Sequence, residues 1–327
     1  MNETDSSSGS STSPSSIPHP DRDLVLISRN PKSGASNQSR LVDDLAGRLH
    51  QSGLSVIMLT DVDQVVAMVE QVEQQDLNES SSSKPNHPSG QRSKLRAVVA
   101  AGGDGTVSLL ANRLPKGTPL AILPLGTENL LAKHLKINAD VERVAQMILD
   151  LKTTQLDAGQ ANGKLFLVMA SCGFDADVVQ RLHANRTGHI RHWSYALPII
   201  RSIRKYRYPT IRISIDGQPP SIESKWAFIF NVPRYAMNLP IVAEADPTDG
   251  KLDVCTFRGR GLLKGLYYFF AVWLGKHRFW TNSQTHQFQT LRLESDEPVP
   301  FQLDGDPGGT LPLEVKVLPN HLTFVVP

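Results

Sequence analysis

The stretch AAGGDGTVS, residues 100–108, sets three glycines around one acid at the end of an apolar run. An apolar run that breaks at Gly102, Gly103 and Gly105 before a helical pattern resumes reads as a β-strand turning tightly into an α-helix. Backbone amides in such a loop, with the field of the following helix, suit an anion such as phosphate. Asp104 would repel that guest unless a metal ion or a proton to be removed comes with it. The stretch therefore raises a question of fold and a question of chemistry together.

Working outward, the same strand-then-helix pattern recurs. DLVLISRNP (23–31) precedes Leu41, Leu45 and Leu49 at helical spacing, and LSVIMLT (54–60) precedes Val62, Val65, Val66, Val69 and Val72. LRAVVAAGG (95–103) leads into a helix over 106–114, PLAILPLG (119–126) into TENLLAKHL, and ADVERVAQMILDL (139–151) adds a further helix. Such alternation predicts a parallel sheet covered on both faces, with ligands beyond the carboxyl ends of its strands. Three polar loops should open at that edge: Asn30 to Gly34, Gly102 to Thr106 and Pro124 to Asn129. No G-x-x-x-x-G-K-[ST] occurs, and no G-x-G-x-x-G follows the first strand, which excludes a P-loop and a dinucleotide fingerprint.

After Leu151 the texture changes to short β-type segments: TQLDAGQANGKLFLVMASCG, TIRISIDG, SKWAFIFNV, KLDVCTF, TLRLES, VPFQLDG, LPLEVKVLP and HLTFVVP. These predict an antiparallel sandwich or barrel, interrupted by helical segments near 176–206 and 260–276. The expected organisation is a disordered tail over 1–22, an α/β domain over 23–152 with a polar loop at 76–94, and a β-rich domain over 153–314. The segment 315–327 is expected to pack back onto the first domain.

A length of 327 residues is enough for two domains, and a net charge of +2 carries no bias toward nucleic acid. Cys172 and Cys255, the only cysteines, suit a reducing compartment. The N-terminus has no basic region followed by an apolar one, so the protein is expected in the cytoplasm. The apolar stretch LYYFFAVWL (266–274) is far shorter than the roughly 20 residues a spanning helix needs.

NPKSG, VVAAGGDGTVSLLANRL, LPLGTENLLAKHL, ASCGFDADV, EADPTDGKLDV and FQLDGDPGGTLPLEVKVLP, in this order, resemble the successive motifs of the diacylglycerol kinase catalytic family. Within it they are most similar to the bacterial soluble lipid kinases, related to sphingosine and ceramide kinases and distantly to NAD kinases. The resemblance runs from about residue 23 to the end. It implies a Rossmann-like nucleotide-binding domain, a β-rich second domain, and ATP in the cleft between them. It places Asn30, Ser33, Gly34, Gly102, Gly103, Gly105, Thr106 and Thr127 in the nucleotide pocket, with Asp306 beside them. Asp104 falls on the central acid of the GGDGT motif and Asp157 on an acid of the same magnesium and catalytic network. Asp304, in LDGD, falls on the family's DGE motif and is favoured as the base that takes a lipid hydroxyl's proton, with Asp104 the alternative.

Phosphoryl transfer needs these residue types, because the protein mainly positions reactants and neutralises charge, and a neutral alcohol needs an acceptor for its proton. DPTDGK (246–251) holds two acids three residues apart; Asp246, Asp249 and the Lys251 carbonyl are an ordinary solvated turn by composition and a structural Mg²⁺ site by resemblance. Between Asp177 and Asp216 lie eight Lys or Arg, three His and no acid, with Trp193, Tyr195, Tyr206 and Tyr208 among them. Residues 178–215 read either as a peripheral membrane contact or as a solvated helix face with its aromatics in the core. Three departures bear on the resemblance: Leu130 stands where the family has an acid, Asp306 where it has Glu, and RYAMNLP (234–240) where it has a glycine-rich stretch.

The function expected is an ATP- and Mg²⁺-dependent lipid kinase acting at a membrane surface, with diacylglycerol the default acceptor. A kinase of another lipid or of a soluble alcohol, and a nucleotide-binding regulatory protein, stand beside it. Monomer and homodimer are both left open.

Overall fold

A computed structural model describes residues 19, 21–29, 36–81, 94–184, 206–233, 241–259 and 283–327. Asn30, Ser33, Gly34, Trp193, Tyr195, RYAMNLP and LYYFFAVWL lie outside the described residues.

The first half alternates as its periodicity requires. β1 (Leu24–Arg29), α1 (Ser36–Gln51), β2 (Ser55–Leu59), α2 (Val62–Ser81), β3 (Leu95–Gly102), α3 (Asp104–Ala111) and β4 (Pro119–Pro124) follow one another, then α4 (Leu130–His134) and α5 (Val141–Asp150). The strands stand in the order β2-β1-β3-β4, all parallel. Because the order reverses between β1 and β3, the loops after those two strands flank a switch point, where such sheets bind ligands. Leu45 and Leu49 of α1 and Val65 and Val69 of α2 are fully buried, as the helical spacing of these residues predicts.

One buried residue breaks the apolar run of β3. Arg96 is fully buried and donates from Nε to the Ile148 carbonyl at 2.8 Å, and from its Nη atoms to the carbonyls of Leu149, Arg22 (2.7 Å) and His19 (3.1 Å). The last carbonyls of a helix have no partner within it, so a guanidinium beneath α5 satisfies them. Burial holds the guanidinium pKa below its ordinary value.

The second half supplies β5 (Thr153–Ala161), β6 (Lys164–Phe166), β7 (Met169–Gly173), α6 (Phe174–Ala184), β8 (Ile211–Ile215), β9 (Ile222–Ser224), β10 (Trp226–Phe230), β11 (Leu252–Phe257), β12 (Gln284–Phe288), β13 (Thr290–Glu294), β14 (Pro300–Leu303), β15 (Asp306–Thr310) and β16 (Leu313–Val325). LPLEVKVLP and HLTFVVP, expected as two strands, form the single strand β16 with a register break between Leu318 and Leu322. Its end runs parallel to β4 and, on both sides of that break, it runs antiparallel to β5, so the first sheet continues into the second half as β4-β16-β13-β8-β9. A second, antiparallel sheet, β12-β11-β10-β7-β14-β15, packs over that continuation. Alternate residues of both sheets, among them Phe166, Ile213, Ile229, Val254, Leu293 and Phe301, make the sandwich core. The architecture is thus a Rossmann-like α/β unit followed by an antiparallel β-sandwich, joined by one shared strand.

Candidate active site

Gly102 ends β3 in register with Pro124 of β4, and the Leu125 N–H donates to the Gly102 carbonyl at 2.8 Å. The two loops beyond them touch backbone to backbone. A Cβ on Gly126 would stand 2.5 Å from Gly103 Cα and 2.7 Å from Asn129 Oδ1, so the contact admits no side chain. Asn129, itself left-handed with φ 48°, closes its loop by accepting from Gly126 N–H at 3.0 Å and donating to the Gly126 carbonyl at 2.8 Å. Gln38 of α1 reaches the same loop, donating to the Leu125 carbonyl at 2.8 Å.

Asp104 does not point freely into this junction. Its Oδ2 accepts from the Leu130 N–H at 2.9 Å and its Oδ1 from the Leu131 N–H at 3.2 Å, so it supplies the acceptor that the start of α4 needs. Burial raises its pKa above the ordinary carboxylate value, against the lowering effect of those two amides.

A polar stripe runs along α3 from Asp104 at intervals of four residues. The Ser108 hydroxyl lies near enough to the Asp304 carboxylate to favour its ionised form. Asn112 brackets Leu165, donating to its carbonyl at 3.1 Å and accepting from its N–H at 2.8 Å. One helix face therefore meets the α4 cap, the LDGD turn and the start of the segment before β7. Asp304 and Gly305 form the two-residue turn between β14 and β15, with φ 49° and 90° and Leu303 paired with Asp306. Asp-Gly is the pair such a primed hairpin turn favours. The Asp304 carboxylate folds back onto the strand β7 entry. Oδ2 accepts from Leu167 N–H at 2.8 Å, and Oδ1 from Val168 N–H at 2.9 Å and Met169 N–H at 3.0 Å. Burial nevertheless raises its pKa, the three amides and the Ser108 hydroxyl opposing that rise. Backbone amides donate to both of its oxygens.

Asp157, 1% exposed, faces the register break of β16. A bulge leaves ladder amides unpaired, and here Asp157 Oδ1 accepts from the Asn320 N–H at 2.8 Å while Oδ2 accepts from the Gly250 N–H at 2.7 Å. Asn231, 2% exposed, donates to the carbonyls of Asp157 (2.9 Å) and Leu167 (2.8 Å), which connects the Asp157 node to the backbone that holds Asp304.

The DPTDGK loop closes through its own hydrogen bonds. Asp246 Oδ1 accepts from the Thr248 N–H at 3.0 Å and its hydroxyl at 2.7 Å; Asp249 accepts from the Lys251 N–H at 2.9 Å and from Gln287 Nε2 at 3.1 Å. Among the described residues no group of three or more His, Cys, Asp or Glu side chains is placed to hold a metal. Asp306, exposed on β15, lies 3.3 Å from His183 Nε2 of α6.

Gly102, Gly103, Gly105, Thr106 and Asp104 thus sit at one junction with the loop that carries Thr127, and Asp304 lies beside Ser108 of the helix that starts there. Asp246, Asp249 and Lys251 form a separate loop, joined through Asp157. Ser108, Asn112 and Asn231 were not singled out by sequence; the four-residue spacing of the first two from Asp104 was a readable signal, whereas Asn231 acts through backbone carbonyls. Tyr206 and Tyr208 pack in the core, their rings 5.0 Å apart and both against Phe174. Among the described residues no helix is long and apolar enough to cross a membrane.

Two family models match in succession: the diacylglycerol kinase catalytic domain over residues 24–161, and the YegS C-terminal NAD kinase beta sandwich-like domain over 168–326. The glycine-loop α/β unit and the sandwich are the two halves these models describe. Together the two matches span most of the chain, which is similar in its first half to the diacylglycerol kinase catalytic domain and in its second to the YegS-type sandwich. It is 26% identical over 309 residues to the uncharacterised protein sll0036 of Synechocystis sp., covering 91% of this chain and 69% of that one. It is 29% identical over 240 residues to a diacylglycerol kinase of Mycobacterium tuberculosis, covering 71% and 77%. In fold it is similar to the crystal structure of a diacylglycerol kinase from Bacillus anthracis, with a TM-score of 0.60, 16% identity, and 94% and 97% of the two chains covered.

Proposed function

We propose that the chain is an ATP-dependent lipid kinase that transfers the γ-phosphoryl group of MgATP to a lipid hydroxyl, with diacylglycerol as acceptor and phosphatidic acid as product. The observation that carries this reading is that α3 starts at the glycine loops with Asp104 as its first residue, while the Asp304 turn lies beside Ser108 of the same helix. The loop amides and helix N-terminus cradle the phosphates, with Asn30, Ser33, Gly34 and Thr127 completing the pocket. The acceptor hydroxyl takes the place of Ser108 at the Asp304 carboxylate. Its proton passes to that carboxylate as its oxygen bonds to the γ-phosphorus and the bond to the bridging oxygen of ADP breaks. The Mg²⁺ that enters with ATP neutralises the phosphate charge.

A structural Mg²⁺ belongs to the DPTDGK loop in this reading. Asp246 Oδ2 is the one carboxylate oxygen of that loop without a protein donor among the described residues. A rise in melting temperature on adding Mg²⁺ to nucleotide-free protein, absent in Asp246→Ala, is the expected sign; no rise in the unaltered protein counts against the site. The basic segment 178–215 brings the enzyme to an anionic, cytoplasmic membrane face.

The test is to incubate the protein with labelled ATP, Mg²⁺ and mixed micelles of diacylglycerol, ceramide or a sphingoid base, beside soluble alcohols. Label in phosphatidic acid supports the reading. Label in a soluble alcohol alone, or nucleotide binding with no labelled acceptor, overturns it.

A further inference from the structure

ASCGFDADV, residues 170–178, takes no part in the reaction as described. β7 turns into α6 at Gly173, with φ 103°, where a Cβ would stand 2.7 Å from the Lys225 carbonyl oxygen. This tight turn brings Asp175 back over Ser171, whose hydroxyl donates to Asp175 Oδ2 at 2.5 Å. Gln302 lies opposite Ser171 in the β7–β14 register and is 2% exposed. Its Nε2 stands 3.0 Å from Ser171 Oγ, 3.4 Å from Asp175 Oδ2 and 2.9 Å from the Met169 sulfur. Its Oε1 accepts from the Gly305 N–H at 2.8 Å. Gly305 is the second residue of the turn that carries Asp304.

A carboxamide has one donating and one accepting end, and a carboxylate only accepts. Asp175 therefore decides which end of the Gln302 amide faces α6, and so leaves the oxygen for Gly305. We propose that Asp175 is a positioning residue, acting through Ser171 and Gln302 to hold the Asp304–Gly305 turn in the conformation that presents the Asp304 carboxylate. The relay runs strand to strand beneath the turn and touches neither nucleotide nor acceptor. Its effect falls on kcat, since a misplaced catalytic group slows chemistry without weakening ATP binding.

The inference rests on the kinase reading for its activity readout and on hydrogen exchange for an independent one. Gln302→Glu sets two carboxylates face to face; Asp175→Asn in the same chain restores a donor to meet the new acceptor. Gln302→Glu and Asp175→Ala should each lower kcat at least about tenfold with KM for ATP unchanged. Asp175→Asn, whose Oδ1 still accepts, should lose less than Asp175→Ala. The double variant Asp175→Asn/Gln302→Glu should recover most of the loss. Exchange at the Gly305 amide should follow the same order, fast in Gln302→Glu and slow again in the double variant. A double variant no better than Gln302→Glu in both readouts, or full kcat in Asp175→Ala, overturns the relay. If the unaltered protein phosphorylates no acceptor, the kinase reading fails while the exchange pattern still decides the relay.

Discussion

Asp104 Oδ2 accepts from the backbone N–H of Leu130 at 2.9 Å, so the acid among the glycines is held by the residue at which the motif resemblance leads one to expect an acid. The side chain of Leu130 packs against the core of the α/β unit, and its contribution to the site is its amide. The absence of an acid there leaves Asp104 with two backbone donors and no neighbouring carboxylate at that position.

This arrangement gives Asp104 a structural and a chemical part that substitutions separate. Asp104→Ala should cost about 1 kcal/mol of stability through the lost cap. Asp104→Asn keeps an acceptor for Leu130 and should cost less. Both should lower phosphoryl transfer by about 100-fold or more, because the charge is gone in each. Chemical denaturation beside a kinase assay distinguishes the two effects; an active Asp104→Asn would make Asp104 a cap alone.

Gly126→Ala should part the two glycine loops, since its Cβ cannot share space with Gly103 Cα. The expected outcome is ATP affinity reduced at least about tenfold, with Asp157 and the sandwich unaffected. Nucleotide binding by calorimetry checks this, and affinity equal to that of the unaltered protein would show that the loop contact does not shape the pocket.

Burial sets the Asp304 pKa above the ordinary carboxylate range, and the reactive form of a base is the ionised one. The rate should therefore fall on acidification at a higher pH than an ordinary aspartate would give. Ser108→Ala removes a hydroxyl that favours the ionised form, so the acid limb of kcat/KM should move higher still. The linkage to stability has the matching sign. A carboxyl with a raised folded pKa contributes stability that is present in acid and lost as pH rises through that value, so unaltered protein should lose its advantage over Asp304→Asn as the pH rises. A limb at the ordinary position in both proteins would contradict this.

Asp157 joins the β16 bulge to the DPTDGK loop through two amides. Asp157→Asn can accept from only one of them without turning its NH₂ toward the other, leaving a buried N–H unpaired at a cost of about 1–3 kcal/mol. A lowered melting temperature is expected, and an unchanged one would remove Asp157 from this structural role.

The alternation of β1 through α5 was legible because buried parallel strands read as apolar runs and their helices repeat at 3.6 residues. β16 was misread as two strands because Pro319 and Asn320 look like a turn, whereas the structure absorbs them as a bulge whose amide Asp157 satisfies. The short polar strands β9, β12 and β15 carry too little pattern to be seen from sequence. At the site, the glycine loops and their acids announce themselves by composition. Five of the donors that hold Asp104 and Asp304 do not, because they are backbone amides whose identity the side chains do not encode. Gln302 and Ser171 are 131 residues apart and meet only through strand register.

The most direct test of the account is transfer of the labelled γ-phosphoryl group from ATP to diacylglycerol micelles, measured for the unaltered protein and for Asp304→Asn with melting temperature and ATP binding as controls. The account predicts labelled phosphatidic acid from the first and a loss of about 100-fold or more in the second, with nucleotide still bound. Equal labelling by both proteins, or none by a folded, nucleotide-binding unaltered protein, would contradict it.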